Sequence, residues 1–69
     1  MQFEILTKEV NGDGNQIGPF SSVAEAKSYA KDYIEGHKNT LCAGIYSLNR
    51  FMYYGAWQRS SIDGRIKFK

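Results

Sequence analysis

The chain contains a single cysteine, Cys42, in 69 residues, and this limits what it can fold into. One cysteine cannot form an intramolecular disulfide, and zinc motifs built from four cysteines are excluded. A chain of this length has room for one hydrophobic core, which supplies only about 3–5 kcal/mol of net stability. We therefore expect a single domain over residues 1–69 that folds by packing alone.

The charges are unevenly spread along the chain. The formal net charge is +2, yet residues 1–49 contain four lysines against six acids. Residues 50–69 contain one acid and five cations, which are Arg50, Arg59, Arg65, Lys67 and Lys69. A concentrated basic segment favours acidic partners, so this asymmetry is the first indication of function.

The first part of the chain is predicted to be β-structure. Residues 2–10 mix apolar, β-branched and charged side chains without helical spacing, which indicates a strand. Residues 11–15 are rich in glycine and asparagine and predict a turn. Residues 16–18 predict a short second strand that Pro19 ends, because proline cannot donate to a sheet ladder.

A helix is predicted from Ser22 onward. Ser22 and Glu25 have the spacing of a capping box, in which the hydroxyl accepts from a first-turn amide and the carboxylate returns to the cap amide. From residue 23 to residue 35, apolar side chains recur along one helical face. Gly36 is the expected left-handed residue just beyond the helix.

The remaining chain is predicted to form three strands. Residues 40–48 and 51–58 are apolar or aromatic runs separated only by Asn49-Arg50, which predicts a tight hairpin. Asp63-Gly64 predicts a second hairpin turn, and residues 65–69 alternate as a half-buried strand. The expected fold class is α+β: one α-helix packed on a curled antiparallel β-sheet of four to five strands, in the order β(β)αβββ.

Residues suited to catalysis or metal binding are few. His37 is the only histidine and Cys42 the only cysteine. Neither has a second histidine or cysteine to complete a metal site or a catalytic triad. We interpret His37 as a helix-terminus residue and Cys42 as a small buried strand residue. The loop 12–18 has neither the spacing of a phosphate-binding loop nor the ligands of a calcium loop. We therefore expect no catalytic activity, no cofactor and no metal.

The chain shows no membrane or export signal. No apolar run approaches the roughly 18 residues of a membrane span. Residues 1–5 lack the basic then apolar pattern of a secretory signal. We expect a cytoplasmic protein without a membrane partner.

The predicted binding surface follows from the two sides of the sheet. One helix covers only one side, and residues 51–58 are aromatic on both faces, so at least one ring should lie outside the core. Such a surface suits nucleic acid or an acidic protein surface. The candidate contacts are Arg50, Tyr53, Tyr54, Trp57, Arg59, Arg65, Lys67 and Lys69. Alternatively, the rings are core and the cations protect the last strand from aggregation.

Scattered residues across most of the chain resemble the small type I-F anti-CRISPR proteins of phages, in particular a member with one helix on a five-stranded antiparallel sheet. They are Lys8-Glu9-Val10, Ser22, Ala26-Lys27, Ala30, Cys42, Gly44 and Asp63-Gly64-Arg65. The resemblance implies a non-catalytic inhibitor that occupies the DNA-binding surface of a CRISPR surveillance complex, partly through helix lysines. It adds Lys27 and Lys31 to the candidate contacts. The aromatic run 51–58 and the loop 11–18 depart from the pattern.

Three functional hypotheses follow. The first is a phage or mobile-element protein that inhibits a host defence or nucleic-acid-processing complex by blocking a surface, with a host protein or ribonucleoprotein complex as its partner. The alternative is a module that binds nucleic acid directly through the same basic and aromatic face. The third is a small homodimeric structural protein, so the chain is expected to be a monomer or a homodimer.

Overall fold

The structure, a computed structural model, describes residues 1–69 as one helix on a five-stranded antiparallel sheet. The elements are β1 (Phe3–Glu9), β2 (Gln16–Phe20), α1 (Val23–Gly36), β3 (Thr40–Ser47), β4 (Tyr53–Arg59) and β5 (Ile66–Phe68). The strand order is β2-β1-β3-β4-β5, and all four neighbouring pairs are antiparallel. The predicted α+β class and element order are confirmed. The sheet is open, with β2 and β5 as its edges.

Helix α1 begins where the capping pattern predicts. Ser22 has an extended backbone, and its Oγ accepts from the Glu25 amide at 3.1 Å. The second half of the capping box differs, because the Glu25 carboxylate accepts from the Ser21 hydroxyl at 2.9 Å. Gly36 is the last helical residue and lacks the predicted left-handed conformation, since the C-cap is His37 with an extended backbone. Helix α1 lacks the length and apolar character that crossing a bilayer requires.

The hydrophobic core lies between α1 and the central strands. Ile5 on β1 and Ile45 on β3 are directly paired and fully buried. Ala26 and Ala30 cover them from the helix, and their small side chains let α1 lie close to the sheet. Burying one isoleucine side chain stabilises the fold by roughly 1.5–3 kcal/mol, so these few residues supply a large part of the total.

The two sides of the sheet are distinguished by the strand alternation. Ile5 and Ile45 point toward α1, so their neighbours Glu4 and Tyr46 point away from it. We call these the helix side and the open side. Trp57 and Phe68 pack against the margin of the core and therefore lie on the helix side.

The strand ends differ from the sequence predictions in two places. β2 continues through Pro19 to Phe20, so the prediction that Pro19 ends the strand is wrong. Proline is tolerated here because β2 is an edge strand with no partner on its outer side. The predicted tight hairpin at Asn49-Arg50 is also wrong, since β3 and β4 are joined by the longer loop 48–52.

Candidate binding surfaces

The three aromatic rings predicted as contacts divide between the two sides of the sheet. Tyr53 lies opposite Tyr46 on the open side and is 52% exposed. A register shift follows, so Tyr54 is the extra residue of a bulge and turns to the helix side, where it packs edge-on against Phe3. The Trp57 indole N–H donates to a carbonyl of α1 at 2.9 Å. Of the three rings, Tyr53 is therefore the one most available to a partner.

The open side carries a small cluster around Tyr53. The rings of Tyr53 and Tyr46 lie with their centroids 5.0 Å apart. The Tyr46 ring also covers Gly44, where an added Cβ would come within 2.9 Å of it. Partial desolvation raises the pKa of the Tyr53 phenol above 10.0, and Tyr46 and the half-buried Cys42 thiol add to the effect. This cluster favours the neutral phenol and offers a weakly polar surface.

A buried carboxylate lies beside this cluster. Glu4 is 1% exposed. Its carboxylate accepts from Arg50 Nε at 2.8 Å and from Gln16 Nε2 at 2.6 Å. Arg50 itself is half-exposed, and its backbone has φ 60, a left-handed conformation that is costly for residues other than glycine. The ion pair therefore holds Arg50, and with it the loop 48–52, against β1.

A group of exposed apolar side chains lies at this end of the sheet. It consists of four residues that we call the apolar tip: Met1, Leu48, Phe51 and Met52. Phe51 is 86% exposed. Together with Gln2, Ser47 and Asn49, the four residues line an open cleft of about 670 Å³. Exposed apolar groupings of this kind mark interaction sites more often than scattered single residues do.

Hydrogen bonds fix the loop that carries the apolar tip. The Asn49 Oδ1 accepts from the Phe51 amide at 2.9 Å and from the Ser47 hydroxyl at 2.6 Å. The Ser47 Oγ in turn accepts from the Met52 amide at 3.0 Å. The Leu48 amide donates to the Gln2 carbonyl at 3.0 Å, which ties the loop to the N-terminal segment. These hydrogen bonds order the backbone of the loop that carries the apolar tip.

Sequence reasoning missed both the apolar tip and Glu4. The predicted strand 51–58 includes Phe51 and Met52. Asn49 is a signal for a loop instead, because asparagine side chains accept from the backbone two residues later. No local signal could have found Glu4. Its partner Arg50 is 46 residues away in the sequence.

Arg59 is used inside the protein. Its Nε donates to the Thr40 carbonyl at 3.1 Å, and its Nη2 donates to the carbonyls of Ile34 and His37, the latter at 3.3 Å. The last carbonyls of a helix have no partner within the helix and carry partial negative charge. Arg59 therefore completes the C-terminal end of α1, and this gives it a structural role.

The remaining predicted cations surround β5. We call Lys27, Lys31, Arg65, Lys67 and Lys69 the basic edge, and all five are exposed. Arg65 makes a loose ion pair with Asp63, with 3.7 Å between Nε and Oδ2, and both side chains are largely exposed. Neither of the two ion pairs in the structure involves a lysine. Within the basic edge, only Arg65 is therefore paired with an acid.

His37 lies at the helix terminus, as its sequence position predicts. Its ring stacks on Tyr33 with centroids 3.9 Å apart, and its Nδ1 lies 2.7 Å from the Tyr33 carbonyl oxygen. The structure brings no three His, Cys, Asp or Glu side chains together in a metal-binding arrangement.

Comparison of the chain with models of protein families, with curated proteins and with solved structures found no match. The resemblance to type I-F anti-CRISPR proteins therefore stays a prediction.

Proposed function

We propose that this chain is a non-catalytic binding domain that docks on a protein partner through the apolar tip. The observation that carries the proposal is Phe51, a large ring 86% exposed on a loop that hydrogen bonds hold in place. Aromatic anchors of this type dominate the binding energy of protein interfaces when they enter a pocket on the partner. Burying the ring removes apolar surface from water, which is worth roughly 1.5–3 kcal/mol.

The rigidity of the loop supports binding. Ordering a flexible side chain on association costs about 0.5–1.5 kcal/mol, and a loop that is already ordered avoids much of this cost. In this chain the ordering comes from Asn49 and Ser47 within the loop and from the Arg50 pair with Glu4 behind it. Because the loop is ordered when the chain folds, binding does not have to supply the free energy of ordering it.

The mode of action that we propose is occupation of a partner's surface. The chain is small, and the apolar tip projects from one end of a molecule that measures 36 × 21 × 18 Å. The resemblance noted from the sequence makes a host defence complex, or another complex that processes nucleic acid, the first partner to test. On this proposal the chain is a stoichiometric inhibitor of phage or mobile-element origin.

The test compares two exposed apolar residues at opposite ends of the molecule. Phe51→Ser removes the anchor of the apolar tip. Ile62→Ser is the matched control, since Ile62 is 95% exposed in the loop between β4 and β5. A tagged chain captures partners from a host lysate, and the captured protein is purified for calorimetric measurement of Kd with each variant.

We expect Phe51→Ser to raise Kd at least tenfold, which corresponds to about 1.4 kcal/mol. Ile62→Ser should stay within twofold of the unchanged chain. Both variants should keep the thermal midpoint, because both side chains are exposed. Equal affinity of the unchanged chain and Phe51→Ser for the purified partner would refute the proposal.

A further inference from the structure

The five cations of the basic edge lie around the edge strand β5, three in or next to the strand and two on α1. Lys67 lies in β5 opposite Gln58, on the open side, while its neighbour Phe68 packs on the helix side. Lys27 and Lys31 reach the same strand from α1. The Lys27 Nζ lies 4.2 Å from the centroid of the Phe68 ring, and the Lys31 Nζ lies 5.4 Å from the Trp57 ring. Positive charge therefore continues around the edge of the sheet.

A polar cleft of about 230 Å³ opens beside Arg65, Lys67 and Lys69, three of the five cations of the basic edge. No hydrophobic side chain lines it. The lining residues are Gln58, Arg59, Ser60, Ser61, Arg65, Lys67 and Lys69. Arginine, lysine, serine and glutamine are the side chains that contact phosphate and sugar oxygens in complexes with nucleic acids.

We propose that the basic edge is a second binding site, separate from the apolar tip, and that its ligand is the phosphodiester backbone of a single-stranded nucleic acid. The charge complementarity is direct, because no acid lines the cleft, and Asp63, the one acid in residues 50–69, lies against Arg65. A flexible single strand can pass around an edge and meet cations on both faces. A duplex is stiff over this distance and would meet one face only.

The bases make little contribution at this site. Trp57 and Phe68 are the nearest rings, but both are part of the packing and have lysine ammonium groups over them. Stacking on bases needs a free ring face. The site therefore binds the backbone, with little preference among sequences. A docking site for an acidic protein would instead be expected to offer an apolar anchor, and the cleft has none.

The number of cations predicts how steeply the affinity for a single strand falls as the salt concentration rises. Each phosphate neutralised on a single strand contributes about −0.7 to the slope of log K against log salt concentration. The five cations of the basic edge therefore predict a slope of about −3.5 when all are engaged. Neutralising two of them should make the slope shallower by about 1.4.

The experiment measures fluorescence anisotropy of a labelled oligothymidine of about 12 nucleotides between about 50 and 200 mM salt. The test variant combines Lys67→Gln with Lys69→Gln, which lowers the net charge by two. The matched control combines Gln2→Glu with Val10→Glu, which lowers it equally. Both control positions are exposed and flank β1, which β3 and β4 separate from β5.

We expect the unchanged chain to bind the oligonucleotide. The test variant should bind at least tenfold more weakly at about 50 mM salt and show the shallower slope. The affinity of the control should stay within threefold of that of the unchanged chain. Three results would overturn the proposal: no binding by the unchanged chain, equal losses in both variants, or tighter binding of a polyglutamate peptide of equal length. Phe51→Ser should leave oligonucleotide affinity unchanged. That result separates this site from the apolar tip.

Discussion

The two ends of β4 present opposite kinds of surface. The strand runs from Tyr53 beside the apolar tip to Arg59 near the basic edge, a distance of roughly 20 Å at about 3.4 Å per residue. At the first end, apolar side chains sit on a hydrogen-bonded loop. At the other end, long charged side chains have few partners. An apolar surface on an ordered loop selects a partner by shape, whereas exposed cations select it by charge, so the two ends are suited to different ligands.

Near each end of β4, one arginine stabilises the structure. The cations of residues 50–69 therefore fall into two groups. Arg50 pairs with the buried Glu4 carboxylate, and Arg59 donates to the carbonyls at the end of α1. The Arg59 guanidinium is bound to backbone carbonyls through two of its nitrogens, whereas Arg50 is held to Glu4 through Nε and its side chain stays 54% exposed. The basic segment seen in the sequence therefore contains two structural cations, while the other three belong to the basic edge.

The largest change in stability that we expect comes from truncating Arg59, the arginine near the basic edge. Arg59→Ala should lower the free energy of unfolding by about 3 kcal/mol, because it removes charge-assisted hydrogen bonds to three carbonyls. Arg59→Lys keeps the charge but loses the planar fork, so it should recover only part of this. Urea denaturation measures both variants. A loss below about 0.5 kcal/mol for Arg59→Ala would contradict the structural role of Arg59.

A smaller effect is expected from the arginine near the apolar tip. Arg50→Ala should cost about 2 kcal/mol, since it leaves a buried carboxylate without its cation, although the half-exposed guanidinium makes the pair weaker than a fully buried one. Arg50→Gly also removes the pair but suits φ 60, so it should cost about 1 kcal/mol less. Urea denaturation of the two variants separates the cost of the left-handed backbone from the cost of losing the ion pair with Glu4. Equal stability would show that the left-handed backbone carries no cost.

The smallest effect concerns the order of the tip loop. Asn49→Ala removes the acceptor for the Ser47 hydroxyl and the Phe51 amide, and should cost about 1 kcal/mol. The control is Asn11→Ala, because Asn11 Oδ1 accepts from the Asp13 amide at 3.0 Å in another loop. Hydrogen exchange should speed up at the Phe51 amide in Asn49→Ala alone. Unchanged exchange there would mean that Asn49 does not order the apolar tip.

Much of the fold could be predicted from the sequence because the signals were local. Ser22 marks the start of α1 through a contact with Glu25, three residues away. The antiparallel strands after α1 follow from apolar runs separated by short polar segments. The strand ends were less predictable. The β3–β4 loop is longer than predicted because the Phe51 and Met52 amides donate to the side chains of Asn49 and Ser47 and not to the backbone of a neighbouring strand.

The candidate sites were predicted only in part. The sequence indicated that cations gather in the last twenty residues and that one ring lies outside the core, and Tyr53 is such a ring. It placed Tyr54 and Trp57 on the same surface. A bulge between β3 and β4 decides that Tyr54 turns away from Tyr53, and no residue spacing within β4 shows where its partner strand slips by one residue.

The class of fold, the start of the helix and the excess of positive charge near the C-terminus can be predicted from the sequence, because each depends on residues that are neighbours along the chain. Which cations contact other parts of the protein depends on how the chain folds. Glu4 meets Arg50 across 46 positions, and Arg59 meets Ile34 across 25. The energy of a charge depends on burial and on nearby partners, and both are set by strand pairing between distant segments.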